Sequence, residues 1–364
     1  MYDYLIAGAG YAGIVMAERI ASKLNKKVLL IDNRGHIGGN SFDYVDENGL
    51  LIHKYGPHLF HTNCKKVFDY LSNYTEWYLY EHRVLAYLEG EYYPMPINRT
   101  TINKLYNMRL QTEEEVAEFY SKVGQKTIGI NTSEDLILST VGEDLYKKFF
   151  YHFTKKQWGL YPNQLDKQVC GRIPVRLNTD DRYFTDKFQF MPKHGYTEMF
   201  KNMINHKNIT FAPNTDFFSI KNDIKFNKIV FTGRIDRFYD FIYGELPYRS
   251  INFTFMNNRI ENALPQTTIN YSEPQTLYTR QTDFSRIYPN KNISHTTIIT
   301  EYPTNEGDPY YPIPTNNNFE LYNKYLNLSN KEKNVIFLGR LTEYKYYNMD
   351  QIVERALNVF EKLL

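Results

Sequence analysis

Three glycines stand at G-x-G-x-x-G spacing in Gly8-Ala9-Gly10-Tyr11-Ala12-Gly13, between two apolar segments. That spacing suits a backbone that must turn tightly beside a phosphate. Gly8 permits the turn, Gly10 lets the main chain approach a pyrophosphate, and Gly13 lets the next helix pack on the strand. The helix start offers unpaired N–H groups to anionic oxygens. Asp32 ends the second apolar segment and can accept hydrogen bonds from a ribose hydroxyl. Together these residues point to an ADP-containing dinucleotide. Asn33-Arg34-Gly35-His36-Ile37-Gly38-Gly39-Asn40 follows. An arginine and then a Gly-Gly pair past the acidic strand end is the pattern of two-dinucleotide-domain flavoproteins, which favours FAD.

Other segments carry chemistry-bearing side chains. Tyr55-Gly56-Pro57-His58-Leu59-Phe60-His61-Thr62 places two histidines on a Gly-Pro turn. Pro57 disfavours a helix there and the spacing is not H-x-x-x-H, so no zinc site is expected. Cys64 and Cys170 are the only cysteines, too few for a disulfide framework or a Cys-based metal centre. Arg172-Ile173-Pro174-Val175-Arg176 and Arg280 supply guanidinium groups of the kind that clamp a diphosphate. Trp158 offers an aromatic platform. Tyr183, Tyr310-Tyr311 and Tyr344-Lys345-Tyr346-Tyr347 offer hydroxyls on stacking faces. Taken singly, each of these suits a structural role better than a catalytic one.

The elements that must position them read as follows. Asp3–Ala7 and Lys27–Ile31 are buried strands flanking a helix over Ile14–Leu24. Lys228–Phe231, ending at Thr232-Gly233, and Asn334–Leu338, ending at Gly339-Arg340, are two more. A last helix opens at Met349-Asp350-Gln351, and its N-terminus suits the negative charge of a reduced flavin. Glu113–Val123 and Ser133–Lys148 have helical periodicity. Val84–Tyr93, Phe188–Met191, Ser250–Phe255, Thr267–Tyr271, Thr276–Arg280 and Thr296–Tyr302 read as antiparallel strands. The expected fold is α/β. A discontinuous, Rossmann-like FAD-binding domain (1–78, 192–245 and 330–364) receives a helical domain (99–170) and an antiparallel β-sheet substrate domain (79–98, 171–191 and 246–329). A formal charge of +2 gives no extended nucleic-acid surface. No apolar run approaches the ~20 residues of a membrane span. The cysteine usage suggests a reducing cytoplasm.

In order along the chain, the motifs resemble those of the bacterial-type UDP-galactopyranose mutase family. They are Gly8–Gly13, Arg34–Asn40, Tyr55–Thr62, Lys156-Gln157-Trp158-Gly159, Arg172–Arg176, Asp180-Asp181 with Tyr183-Phe184, and Met191-Pro192-Lys193 with Gly195-Tyr196-Thr197. Asn270-Tyr271, Tyr278-Thr279-Arg280, and Gly339-Arg340-Leu341 with Tyr344, Tyr346 and Met349-Asp350 complete the set. The resemblance implies an isomerase that interconverts UDP-galactopyranose and UDP-galactofuranose for cell-surface polysaccharide. It further implies that FAD is active when reduced by an external reductant such as NAD(P)H, that flavin N5 attacks the anomeric carbon, and that the protein is a homodimer. By the same resemblance Arg172 and Arg280 clamp the departing diphosphate, with Arg172 on a mobile lid, and His58 sits near the isoalloxazine. Tyr183, Tyr311 and Tyr346 bond the phosphates. Phe149 and Phe153 lie near uracil, Trp158 lies at the substrate, and Asn270 contacts the nucleotide. Asn40, Leu59, Arg340, Met349 and Asp350 bind FAD, and Ala12, Asn33, Gly39 and Phe211 join Gly8, Gly10, Gly13 and Asp32 in the cofactor set.

Three positions depart from the family pattern. Phe153 stands where the family often has Tyr, Thr179 replaces a common Tyr, and Asn348 stands where many members have Asp. The last removes a negative charge beside the substrate and leaves the sugar open, including an N-acetylated analogue. An FAD oxidoreductase of amines or alcohols, and a UDP-sugar-binding protein without catalysis, stand as the alternatives.

Overall fold

A computed structural model describes residues 1–126, 129–260, 263–288 and 294–364. A strand of consecutive apolar residues has no face to give to water, so it belongs inside a parallel sheet covered on both sides. Tyr2–Ala7 behaves this way and is the centre of a five-stranded sheet. The strand order is Ile209–Ala212, Val28–Ile31, Tyr2–Ala7, Phe226–Phe231, Val335–Phe337, and every neighbouring pair is parallel. Side chains alternate across it. Ile6, Val28, Leu30 and Val230 share a core with the helices Tyr11–Leu24 and Met349–Glu361, which pack on each other. Leu5, Ala7, Leu29, Ile31 and Phe231 meet Phe217 on the other face. The α/β, Rossmann-like expectation is met. The edge strand Ile209–Ala212 has no counterpart in the sequence reading.

A second sheet has seven strands in the order Tyr311–Pro312, Tyr248–Asn258, Thr296–Thr304, Arg280–Asp283, Thr268–Tyr271, Val84–Leu88, Glu91–Met95. Here the structure corrects the sequence reading. Residues 84–93 are not one strand but a hairpin, because Glu89 and Gly90 take φ values of 52° and 87° and reverse the chain. The sheet is not wholly antiparallel, since Thr268–Tyr271 runs parallel to Val84–Leu88. A parallel pair needs a long crossover, and the intervening chain supplies it. Thr276–Tyr278 is a loop, and strand pairing there begins only at Arg280. Phe188–Pro192 belongs instead to a three-stranded sheet with Phe60–Thr62 and Trp77–Leu79.

The helical block starts each main helix with a side-chain cap, from Asn98, Thr112 and Thr132. The helix read over Ser133–Lys148 is interrupted. Gly142 leaves helical geometry at φ 78°, and Tyr146–Tyr151 forms a π-helical turn before His152–Trp158 resumes. Among the described residues no helix is long and apolar enough to cross a membrane.

Candidate active site

The glycine turn is built by close approach of main chains. A Cβ on Gly13 would fall within bonding range of the Gly8 carbonyl oxygen, and one on Gly8, at φ +110°, would strike the Thr232 hydroxyl. Thr232 in turn donates to the Ala7 carbonyl at 2.9 Å, so the end of the fourth chain segment of the sheet closes the turn from below. The Gly38-Gly39 loop folds over the same turn: Gly38 N–H donates to the Ala9 carbonyl at 2.8 Å, and a Cβ on Gly39 would lie 3.0 Å from the Gly10 Cα. Asp32 ties the two loops together, accepting from Ala9 N–H and Arg34 N–H, each at 2.8 Å. Helix Tyr11–Leu24 has no side-chain cap, which leaves its first N–H groups for a ligand.

A cleft of about 390 Å³ opens over this cradle. Gly8, Gly10, Ala12, Asp32, Asn33, Gly39, Asn40, His58, Arg340 and Met349 line it. A backbone-walled cradle at a helix N-terminus, with one acidic side chain at the neighbouring strand end, fits the pyrophosphate and ribose of FAD.

The second cleft, of about 520 Å³, is lined by Arg172, Arg280, Arg340, Tyr183, Tyr311, Tyr346, Asn270, Leu59 and His61 among others. Asn270, Arg280 and Glu301 lie directly opposite one another on three adjacent strands. Arg280 Nε donates to Asn270 Oδ1 and its terminal nitrogen to Glu301 Oε2, both at 3.2 Å. Burial pushes the Glu301 carboxyl up, and Arg280 opposes that shift. Arg172 lies 3.7 Å above the Tyr346 ring and donates to Asn348 Oδ1 at 2.6 Å. Arg340 donates to the carbonyls of Tyr310 and Tyr347 at 3.2 and 2.6 Å. Among the described residues neither Arg172 nor Arg340 has a carboxylate partner, so their positive charge is left for a ligand. The hydroxyls of Tyr183, Tyr311 and Tyr346 likewise have no protein partner among those residues. Tyr311 and Tyr346 stack at 5.1 Å.

His58 lines both clefts, as do Asn40, Arg340 and Met349. The His58 ring pairs through Nδ1 with the Gly56 carbonyl at 2.9 Å. A carbonyl only accepts, so Nδ1 carries the proton and Nε2 is the bare acceptor. Burial, with Arg340 adding repulsion and the Gly56 bond opposing both, holds the imidazole down at about 4, neutral at physiological pH.

Phe149, Phe153 and Trp158 do not line the arginine cleft. They form a small adjoining aromatic pocket that shares Ile173 and Asn270 with it. The π-helical turn places Phe149 on this wall. Lys156 fastens the same helix end to the loop before Arg280. Its ammonium shares three N–H donors among the carbonyls of Tyr271, Glu273, Thr276 and Tyr278, which lie at 2.6, 3.0, 3.0 and 3.1 Å. Arg249 holds the other side through the Lys156 and Gln157 carbonyls. Burial lowers the Lys156 ammonium to about 8, against an opposing effect of Glu273, so it is charged at neutral pH. Lys156→Met is expected to lower stability by about 3 kcal/mol in urea unfolding, because it strips a shared donor from several inward-facing carbonyls. An unchanged midpoint would show that the loop holds itself.

Some expected residues lie elsewhere. Phe211 sits in the edge strand paired with Leu30 and is not part of the cleft wall. The wall there comes from Thr215, Asp216, Phe217, Phe218, Arg234 and Arg237, which the sequence reading missed. Asp350 is also outside the wall; its Oδ2 accepts from the Thr62 hydroxyl at 2.8 Å. Gly13 lies under the turn rather than on its surface, and Leu59 lines only the second cleft. Glu301 and Asn348 emerge as the hydrogen-bond partners of Arg280 and Arg172.

A family model described as UDP-galactopyranose mutase matches residues 148–346, and one for an NAD(P)-binding Rossmann-like domain matches residues 6–74. The dTDP-fucopyranose mutase of Escherichia coli is 36% identical over 98% of this chain and 97% of its own. The probable UDP-galactopyranose mutase of Klebsiella pneumoniae is 35% identical over 100% of this chain and 94% of its own. The chain belongs to the UDP-galactopyranose mutase family. It is therefore placed among the flavin-dependent pyranose–furanose mutases of nucleotide sugars. The crystal structure of a reduced UDP-galactopyranose mutase superposes with a TM-score of 0.78 at 16% identity, covering 100% of this chain and 95% of that one. A putative protoporphyrinogen oxidase from Exiguobacterium sp. 255-15 gives 0.69 at 11% identity, covering 99% and 98%. These two likenesses speak for the fold.

Proposed function

We propose that the chain interconverts the pyranose and furanose forms of UDP-galactose, with reduced FAD in the first cleft and the nucleotide sugar in the second. The observation that carries this reading is the junction of the clefts. Asn40, His58, Arg340 and Met349 belong to both, so a dinucleotide ring at the mouth of one faces whatever the arginines hold in the other. Bound reduced flavin supplies a nucleophilic nitrogen for the anomeric carbon.

The chain's own residues do the rest. Gly8, Gly10 and Gly39 bring main chain against the pyrophosphate, and Asp32 faces a ribose. Arg172, Arg280 and Arg340 stabilise the diphosphate as it takes up charge on leaving, and Tyr183, Tyr311 and Tyr346 donate to its oxygens. Asn270, Phe149, Phe153 and Trp158 receive the nucleoside end. His58 stays neutral and presents Nε2 as an acceptor at the junction; a group held near 4 orients and accepts hydrogen bonds rather than carrying protons at neutral pH.

A second reading has a specific support: the Escherichia coli relative is a dTDP-fucopyranose mutase. The test incubates dithionite-reduced holoenzyme separately with UDP-galactofuranose, its N-acetyl analogue and dTDP-fucofuranose. UDP-galactofuranose should turn over with the highest kcat/KM, give the pyranose and leave the flavin reduced, while oxidised enzyme does nothing. Faster turnover of dTDP-fucofuranose would move the assignment to the second reading. Oxidation of the sugar would sink both.

A further inference from the structure

His53 has no part in the site as described, yet it is fully buried and 0% exposed. Its Nδ1 accepts the backbone N–H of His58 at 2.9 Å. On the far side of His58, the backbone carbonyl accepts from the Tyr196 hydroxyl at 3.0 Å. Tyr196 is itself pinned: its N–H donates to the Asp43 carboxylate at 2.6 Å, and Asp43 is the cross-strand neighbour of His53 in the hairpin Asp43–Val45 and Leu51–His53. The anchors therefore close a ring, from His53 to His58, to Tyr196, to Asp43 and back to His53. Edge-on contacts from Tyr196, Phe284 and Tyr288 fix the His53 ring, and its Nε2 faces the Tyr288 hydroxyl at 3.4 Å.

We infer that His53 is a positioning residue: by accepting the His58 N–H from within this closed ring, it sets the place of His58 at the junction of the cofactor and substrate clefts. Because Nδ1 accepts, the proton must sit on Nε2, so the ring works only as the neutral tautomer. Burial, with His58 adding to it, holds the imidazole well below its usual range, which keeps that tautomer in place. Among the described residues the turn beginning Gly56-Pro57 has no main-chain hydrogen bond of its own, only the His58 ring on the Gly56 carbonyl. Clamping the N–H and C=O of one residue from two other elements supplies that order.

The inference rests on the reading that the first cleft holds FAD. Two substitutions in holoenzyme separate positioning from packing. Asn at position 53 places Oδ1 where Nδ1 was but leaves a small void. Phe fills the volume and removes the acceptor. His53→Asn should keep kcat within about fivefold of the unsubstituted enzyme, and His53→Phe should lose about 10–100-fold, with KM nearly unchanged. The absorption spectrum and midpoint potential of the bound flavin should shift in His53→Phe and not in His53→Asn. A packing role gives the opposite order, with Phe the better substitute, and that order would overturn the inference. If His53→Phe does not fold, Tyr196→Phe releases the other end of His58 and should produce the same spectral shift; an unshifted spectrum there overturns it equally. Failure of the substrate reading is distinguishable, because it would appear as inactivity of the unsubstituted enzyme while the flavin spectra still report on His53.

Discussion

Arg280→Ala is expected to lower kcat by about 10²–10³-fold, the usual loss on removing one preorganised contact to developing charge, while the purified protein keeps its yellow FAD. The separation follows from position. Arg280 lines the second cleft and takes no part in the glycine cradle. Its strand sets it between Asn270 and Glu301 on neighbouring strands, so the guanidinium is aimed before any ligand arrives. The substitution has a second consequence. Glu301 is only 2% exposed, and among the described residues its Oε1 already has no hydrogen-bond partner. Without Arg280 it becomes a buried carboxylate without a cation, a change that typically costs about 3–5 kcal/mol unless it takes up a proton. Adding Glu301→Gln should restore most of the stability and none of the rate. Steady-state kinetics, UDP affinity and urea unfolding on both variants test this. Near-normal turnover in Arg280→Ala would remove the residue from the diphosphate site.

Gly13→Ala should yield protein nearly free of FAD and less stable by about 1–3 kcal/mol, the range for forcing an extra methyl into a packed contact. The atom it would strike is the Gly8 carbonyl oxygen, which is main chain and cannot swing aside. Helix Tyr11–Leu24 must therefore move off the turn and take its N-terminus away from the phosphates. Gly10→Ala is the informative contrast. Its nearest neighbour to a new Cβ is Gly39 Cα at 3.9 Å, so the fold accommodates it, but under the proposed function the methyl would stand where the pyrophosphate must approach. It should lose FAD yet unfold at the same midpoint as the unsubstituted protein stripped of FAD, since bound cofactor itself adds stability. A fully yellow Gly13→Ala of normal stability would contradict this account of the turn.

Local rules carried the sequence reading a long way in the cofactor region. Gly8, Gly10, Gly13 and Asp32 are legible because their roles depend on short-range geometry: a turn, a helix start and a strand end, all within one strand–helix–strand unit. The Gly38-Gly39 pair was legible as a motif, but not as a lid resting on Gly10, since that contact joins two loops. Thr215–Phe218, Arg234 and Arg237 carry no motif at all. They reach the cleft because Phe226–Phe231 and Ile209–Ala212 take places in the sheet on either side of the first two strands. Phe211 shows the reverse, a residue of the right segment whose side chain packs against the hydrophobic core and does not line the cleft.

The arginine cleft depended more on the tertiary structure. Arg172 and Arg280 were legible as guanidinium groups, but their pairing on one diphosphate came from the family resemblance, and nothing in their spacing says that they face one cavity. Strand register puts Asn270, Arg280 and Glu301 in one row, and register depends on pairing between distant segments. The parallel pairing of Thr268–Tyr271 with Val84–Leu88 was invisible for the same reason. His53 is the extreme case. In sequence it is one polar residue at the end of a short apolar stretch. Its role exists only because Asp43, Tyr196 and His58 close around it. The sequence by itself determined the type of cofactor site and the supply of charge, since these follow from side-chain chemistry and from turns a few residues long. Only the tertiary structure decided which charges are neutralised, which are left for a ligand, and how the two clefts meet at His58, because those depend on distances between residues far apart in the chain.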